Sequence, residues 1–313
     1  MNKRLGCVLA ALTLTATTVA LPAPATAAAW TLRWSPNPAN DTVAEAFEGI
    51  EDDRADSHSG ITHIYVSGDA YRFDMHTQDR DGDDRQRNEV KGMRTSGSSY
   101  LKILENETWR ISYQMYIPAT LDSTTSFTHI AQMKTPGSGA PLYTMSLPVS
   151  GGTPKINVRY WDESEQTHEV GNTNLNPIQG KWLDTTFEFK ASDNGYLRWI
   201  LRDGSTTLVD RRLDNTDLWR GDDEYLRPKW GIYRSIESSG LKNTYLLVRN
   251  LRGEQLTGDG GDSDPSSQEA GQGSFSGTAR TRTIPVQLKA GANTIRFSND
   301  SASAPDLDRT TLR

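Results

Sequence analysis

The chain has 313 residues, with 34 Lys and Arg against 40 Asp and Glu, a formal net charge of −6 and a single cysteine. That acidic balance is unsuited to gripping nucleic acid or anionic membrane non-specifically, so any anion-binding chemistry has to be concentrated locally. The cysteine, Cys7, sits near the start, which excludes disulfides, thiolate catalysis and cysteine-ligated metal from the rest of the chain.

Residues 1–29 read as a secretory signal. Asn2-Lys3-Arg4 is a basic start, Leu5 to Leu21 is apolar, and Ala25-Thr26-Ala27 is a small-x-small cleavage pattern. The apolar stretch is short for a membrane span. Cys7 precedes it rather than following it, which argues against lipidation. The expectation is a secreted, extracellular protein whose mature part keeps 32 basic against 40 acidic residues, since only Lys3 and Arg4 leave with the signal.

From Trp30 to about 256 the chain is a succession of short segments bounded by Gly, Pro, Asn and Asp. Only Thr42 to Ile50 looks helical. Trp109–Ile117, Lys155–Trp161, Trp182–Phe189, Tyr196–Leu201 and Tyr245–Leu251 alternate apolar and polar residues, the period of half-buried antiparallel strands. Asp193-Asn-Gly195 and Arg202-Asp-Gly204 flank one of these runs with hairpin-turn chemistry. The fold class is therefore all-β, a sandwich of two antiparallel sheets. Residues 257–273, rich in Gly, Ser and Asp, read as a flexible linker. Residues 274–313 carry two strand-like runs and are short for a domain that folds alone.

Four segments could carry chemistry. Asp79, Asp81 and Asp83, in Asp79-Arg-Asp-Gly-Asp-Asp84, place oxygens at alternate positions around a glycine, a candidate loop for a hard cation such as calcium; a merely solvated acidic turn is the alternative. In the next stretch Arg85, Arg87, Glu89 and Lys91 share one strand face, so that Glu89 could hold a guanidinium for carboxylate recognition; a solvated edge strand is the alternative. In His129-Ile-Ala-Gln-Met-Lys134, Gln132 and Lys134 share a face, while regular alternation puts His129 on the other. In Arg227-Pro-Lys-Trp-Gly-Ile-Tyr-Arg-Ser235, Lys229, Gly231 and Tyr233 share a face, and the glycine leaves room for a ligand between the cation and the phenol. His58, His63, His76, His129 and His168 show no metal-ligand spacing, although His63 and His76 remain candidates for a cleft.

RQRNEVKG, IAQMK and KWGIYRS, in this order and spacing, resemble the motifs of the jelly-roll polysaccharide lyases. The likeness is greatest to the glucuronan lyase and heparin lyase I type, with alginate lyases more distant. It implies a concanavalin-like β-jelly-roll over residues 30–256 and β-elimination on 4-linked uronic-acid polymers, with an anionic polysaccharide as partner, no required cofactor and a monomeric state. It further implies that Gln132 and Arg87 neutralise the uronate carboxylate, that Glu89 orients Arg87, and that Tyr233 takes the C5 proton and protonates the leaving oxygen. Lys91, Lys134, Lys229, Arg234 and His129 are the implied substrate contacts or sources of positive field. Lys134 stands where many relatives have histidine, which makes it the competitor of Tyr233 for the role of base. The tail, through TIPVQLKAGANTIRF and SNDSASAPDLDR, resembles the last third of a β-sandwich carbohydrate-binding module, too little to carry over a binding function.

Two other readings stay open. A glycoside hydrolase on a similar sandwich needs two positioned carboxylates, and Asp162-Glu163-Ser164-Glu165 lacks the expected E-x-D-x-E spacing. A non-catalytic sugar-binding sandwich would suit the many aromatic residues equally well.

Overall fold

A computed structural model describes residues 28–137, 139–220 and 224–257. The expected module-like tail, all but residues 28 and 29 of the expected signal, and all but Thr257 of the expected linker lie outside the described residues.

In chain order the elements are β1 (Ala29–Trp34), α1 (Val43–Ala46), β2 (Gly49–Asp52), β3 (Ile64–Ser67), β4 (Ala70–Met75), β5 (Arg85–Lys91), β6 (Met93–Ser96), β7 (Ser99–Leu101), β8 (Thr108–Tyr116) and β9 (Thr128–Lys134). There follow β10 (Tyr143–Ser146), β11 (Val149–Ser150), β12 (Thr153–Trp161), β13 (Thr167–Asn174), β14 (Trp182–Lys190), β15 (Gly195–Asp203), β16 (Thr206–Thr216), β17 (Arg227–Ser235) and β18 (Thr244–Thr257). Sixteen of these strands form two eight-stranded antiparallel sheets, the jelly-roll sandwich expected, and β6 and β7 pair only with each other. The back sheet runs β16-β15-β14-β8-β18-β4-β3, with β1 also on β18; the front sheet runs β11-β12-β10-β9-β17-β5-β2, with β13 on β12.

Alternation explains the layers. β8 and β14 bury every second residue, and Trp109, Ile111, Phe187 and Phe189 enter the core between the sheets. From the front sheet Trp230 of β17 reaches the same core, where it stacks on Trp34 at 5.4 Å and meets Phe47 at 5.7 Å. Burying each such side chain contributes roughly 1.5–3 kcal/mol, enough for a fold without disulfides. Trp230 also sets the phase of β17: with residue 230 inward, Lys229, Gly231 and Tyr233 face outward.

The helix expected over Thr42–Ile50 is a single turn. Thr42 and Glu45 form a capping box, but Phe47 is already extended at φ −119°, and Gly49–Asp52 joins the front sheet as its edge strand. Packing of Phe47 against Trp34, Tyr71 and Trp230 outweighs one more helical turn.

Candidate active site

Three adjacent front-sheet strands bring the predicted motifs together. β17 pairs with β5 in continuous register, placing Lys229 opposite Lys91, Gly231 opposite Glu89 and Tyr233 opposite Arg87. On its other side it pairs with β9, Lys229 opposite Gln132 and Tyr233 opposite His129. Gly231 is required here for a backbone reason rather than for ligand room. Its φ is +136°, and a Cβ would lie 2.2 Å from the Asn88 carbonyl oxygen and 2.7 Å from the Glu89 Cα.

β9 departs from regular alternation. Against β10, Met145 pairs with Ala131 but Ser146 pairs with His129, so Ile130 is an extra residue. Ile130 and Ala131 therefore both turn into the core, and His129 moves to the same outward face as Gln132. The expectation that His129 faces away from Gln132 is corrected by this bulge. His129 lies 5.8 Å from Tyr233, ring centroid to centroid, stacks on Phe127 and exchanges a 2.7 Å hydrogen bond between Nδ1 and Ser146 Oγ. Burial lowers its pKa to about 4, so the imidazole is neutral over the ordinary pH range.

Beneath the aromatic pair lies a layer of charge. Glu89 is fully buried; it accepts from Gln132 Nε2 at 2.6 Å and from Arg87 Nη1 at 3.0 Å, and it lies 2.8 Å from Lys229 Nζ. Glu51 of β2 accepts from Lys229 at 2.6 Å and from Lys91 at 3.2 Å. Burial alone would raise the Glu51 carboxyl, but Lys229, Arg87 and Lys91 override it and bring the pKa down to about 2. Arg87 also gives its Nε to Asp81 at 2.8 Å and lies under the Tyr233 ring, 3.8 Å from its centroid. Glu89 thus orients Arg87 as expected, but it engages Gln132 as well. Both donors expected to meet a substrate carboxylate are tied to protein carboxylates.

The guanidinium that reaches outward is Arg85, with 40% of its side chain exposed and Nη1 donating to the Tyr233 hydroxyl at 3.0 Å. Its place in the alternating R-x-R-x-E-x-K run was the available signal for it. Glu51 had none, being the first of three consecutive acids, Glu51-Asp52-Asp53, just past the segment expected to be helical.

Arg234 is misplaced in the sequence reading. It follows Tyr233 by one residue and so points to the opposite side of the sheet, where Nε donates to Gln86 at 2.6 Å and Nη2 to the Lys242 carbonyl at 3.0 Å. Lys134 does reach the outward face, with Nζ donating to the Gly139 carbonyl at 2.7 Å. Burial, followed by the nearby Lys229 and Arg87, lowers its pKa from the ordinary lysine range.

Tyr233, His129 and Phe127 line one end of a cleft of about 350 Å³ that continues over Ser146, Asn157, Arg159 and Trp161. Among the described residues, none of those lining it is a carboxylic acid. Asp79, Asp81 and Asp83 do not converge on one cation. Asp79 is buried beside three histidines, Asp81 accepts from Arg54 and Arg87, and Asp83 is exposed.

Solved structures similar to the chain include three alginate lyases. That from Klebsiella pneumoniae is 13% identical, with 61% of this chain and 83% of that one covered, at a TM-score of 0.44. Alginate lyase PA1167 from Pseudomonas aeruginosa is 14% identical, with 62% and 86% covered, at 0.42. Alginate lyase A1-II', a member of polysaccharide lyase family 7, is 12% identical, with 71% and 99% covered, at 0.49. No curated protein matches the chain. A family model described as polysaccharide lyase matches residues 39–247, from before α1 to the middle of β18. That match spans well over half of the sequence, and the chain belongs to the polysaccharide lyase family.

Proposed function

We propose that this protein is a secreted lyase that cleaves 4-linked uronate polymers, glucuronan-like chains foremost, by β-elimination. The observation that carries the reading is the Tyr233 hydroxyl at the cleft, with Arg85 on its oxygen, Arg87 under its ring and neutral His129 beside it. Elimination breaks the C5–H bond, forms the C4–C5 double bond and expels the sugar oxygen on C4. In a 4-linked glucuronate the C5 hydrogen and O4 lie on the same face of the ring. One group can therefore take the proton from C5 and return it to O4. Tyr233 is that group, and the guanidinium groups of Arg85 at its oxygen and Arg87 at its ring offset negative charge that develops on it.

The substrate carboxylate must be neutralised for C5 to release its proton. His129 serves here in the tautomer whose Nδ1 accepts from Ser146 Oγ, 2.7 Å away, which leaves an Nε2–H to donate to the carboxylate. Gln132, Glu89, Lys229 and Glu51 form the rigid floor that positions Arg87, while Lys91, Lys134 and Arg159 bind the polyanion. A hydrolase reading is weaker because Glu51 and Glu89 are ion-paired in the floor, and neither is placed as a free acid at the cleft.

The test is incubation of the chain with glucuronan, alginate and a neutral glucan. New ultraviolet absorbance from an unsaturated uronate, strongest with glucuronan, is expected. New reducing ends without that absorbance would establish a hydrolase, and binding without either product a lectin.

A further inference from the structure

Three of the five histidines, which show no metal-ligand spacing in the sequence, meet behind the front sheet. His58 lies in the loop after β2, His63 just before β3, and His76 just after β4, three residues before Asp79. One ligand atom from each of these four residues lies within 4.8 Å of all the others. His63 and Asp79 are fully buried. Asp79 Oδ1 is 3.0 Å from His58 Nδ1 and 3.2 Å from His63 Nε2, and Asp79 Oδ2 is 3.4 Å from His76 Nδ1. Ligand atoms around a tetrahedral ion with bonds of 2.0–2.1 Å are about 3.3 Å apart, so these separations have the length of a tetrahedron's edges.

Two of the ring nitrogens, His63 Nε2 and His76 Nδ1, are buried without a hydrogen-bond partner among the described residues. Buried polar atoms are seldom left that way unless something else completes them. The surroundings also orient the rings. Asp52 takes His63 from behind, its Oδ1 2.5 Å from Nδ1 and its Oδ2 accepting from the backbone N–H at 3.0 Å, which turns Nε2 toward Asp79. Asn88 Nδ2 and the His76 backbone N–H donate to Asp79 Oδ2 at 3.2 and 2.6 Å. A carboxylate behind a ligating imidazole, with hydrogen bonds fixing the ligating carboxylate, is the support that metal centres carry.

We infer that His58, His63, His76 and Asp79 bind one zinc-class transition-metal ion. Three imidazole nitrogens and one oxygen suit Zn(II) or Co(II) and disfavour calcium, which takes six to eight oxygens. The site joins the loop after β2 to the loop between β4 and β5. Residue 81 of that second loop is the aspartate that holds Arg87 beneath Tyr233. The ion is therefore structural, and it braces one wall of the site described above.

The experiment uses the full chain without an affinity tag, stripped with a chelator and titrated with Co(II) and Zn(II). One Co(II) per chain with the strong visible absorption of tetrahedral cobalt is expected, displaced by Zn(II) and untouched by excess Ca(II). Zn(II) should also raise the melting temperature. His63→Ala and His76→Ala should each lose the band, Asp52→Ala should weaken binding by roughly 10–100-fold, and His168→Ala should bind like wild type. Absence of stoichiometric uptake by the unmutated chain overturns the inference, whatever becomes of the variants. So does a band that survives in both folded histidine variants, or one that Ca(II) displaces. None of these readouts depends on turnover, so failure of the lyase reading would leave them interpretable.

Discussion

Arg87 lies over the ring of Tyr233, its guanidinium carbon 3.8 Å from the ring centroid, although the two residues are far apart in sequence and on different strands. With Arg85 donating to the hydroxyl, the phenol is held between two cations. Tyr233→Phe keeps the ring on Arg87 and deletes the one atom that moves a proton. Turnover should fall by about 10²–10⁴, the usual contribution of a positioned acid–base group, with melting temperature and substrate affinity nearly unchanged. Retention of most activity would remove Tyr233 from the chemistry.

Lys134 is the competing base, and its lowered pKa keeps it in contention. Its ammonium donates to the Gly139 carbonyl, however, and it pairs across the ladder with Arg227, six residues along β17 and five along β9 from the Tyr233–His129 rung. Lys134→Ala should weaken polyanion binding and flatten its salt dependence, with a smaller loss in turnover than Tyr233→Phe. The reverse ranking in initial-rate assays would exchange the two roles.

His129 links pH to stability. Its folded pKa of about 4 lies below the 6.5 of a free histidine. Above pH 6.5 neither folded nor unfolded chain protonates it. Between 6.5 and 4 the unfolded chain binds a proton that the folded chain refuses, so stability falls as pH falls through this window. The full effect is on the order of 3 kcal/mol. Urea unfolding midpoints taken across this range should slope less in His129→Gln than in wild type, and equal slopes would contradict the assignment.

Arg234→Ala distinguishes a subsite from a structural arginine. Removing it leaves the Gln86 amide oxygen and the Lys242 carbonyl without their donor, which should cost about 1–3 kcal/mol. Turnover of the folded fraction should stay at the wild-type level. A selective rise in KM at unchanged stability would restore Arg234 to the substrate side.

Gly231→Ala should be among the most damaging single changes in β17. The backbone conformation costs roughly 1–3 kcal/mol for a residue with a side chain, and the added methyl would meet the backbone of β5 at Asn88 and Glu89. A clear drop in melting temperature is expected, with turnover falling alongside because that rung carries Glu89. A variant as stable as wild type would mean that β5 and β17 can separate locally.

The strands were legible wherever one face is buried. β8, β12, β14 and β15 follow their apolar alternation to within two residues at either end. Tyr233, Lys229, Glu89 and Arg87 fell on the outward face for the same reason. Alternation fails at a single inserted residue, and Ile130 is one, so His129 was assigned to the wrong side of β9. Arg234 was a different error, since the same alternation already put it opposite Tyr233. The histidine cluster was illegible because its members come from two loops that only the packing of the back-sheet pair β3–β4 behind β5 of the front sheet brings together. His76 and Asp79, three apart, are its only local trace. Donor commitments are also invisible in a linear pattern: nothing in Gln132 or Arg87 shows that Glu89 will occupy them both.

Because the extra residue in β9 displaces everything before it by half a pleat, the strand is in effect written in two reading frames. Removing Ile130 alone would restore one frame. Alternation from Gln132 would then run Ala131 inward, His129 outward and Thr128 inward, so the cleft would keep its imidazole and the core would lose one apolar side chain, whereas regular pairing with Ile130 retained would drive His129 into the apolar interior, where an imidazole has no partner. Deleting the residue and straightening the bulge therefore have opposite effects on the cleft, although each leaves a regular strand.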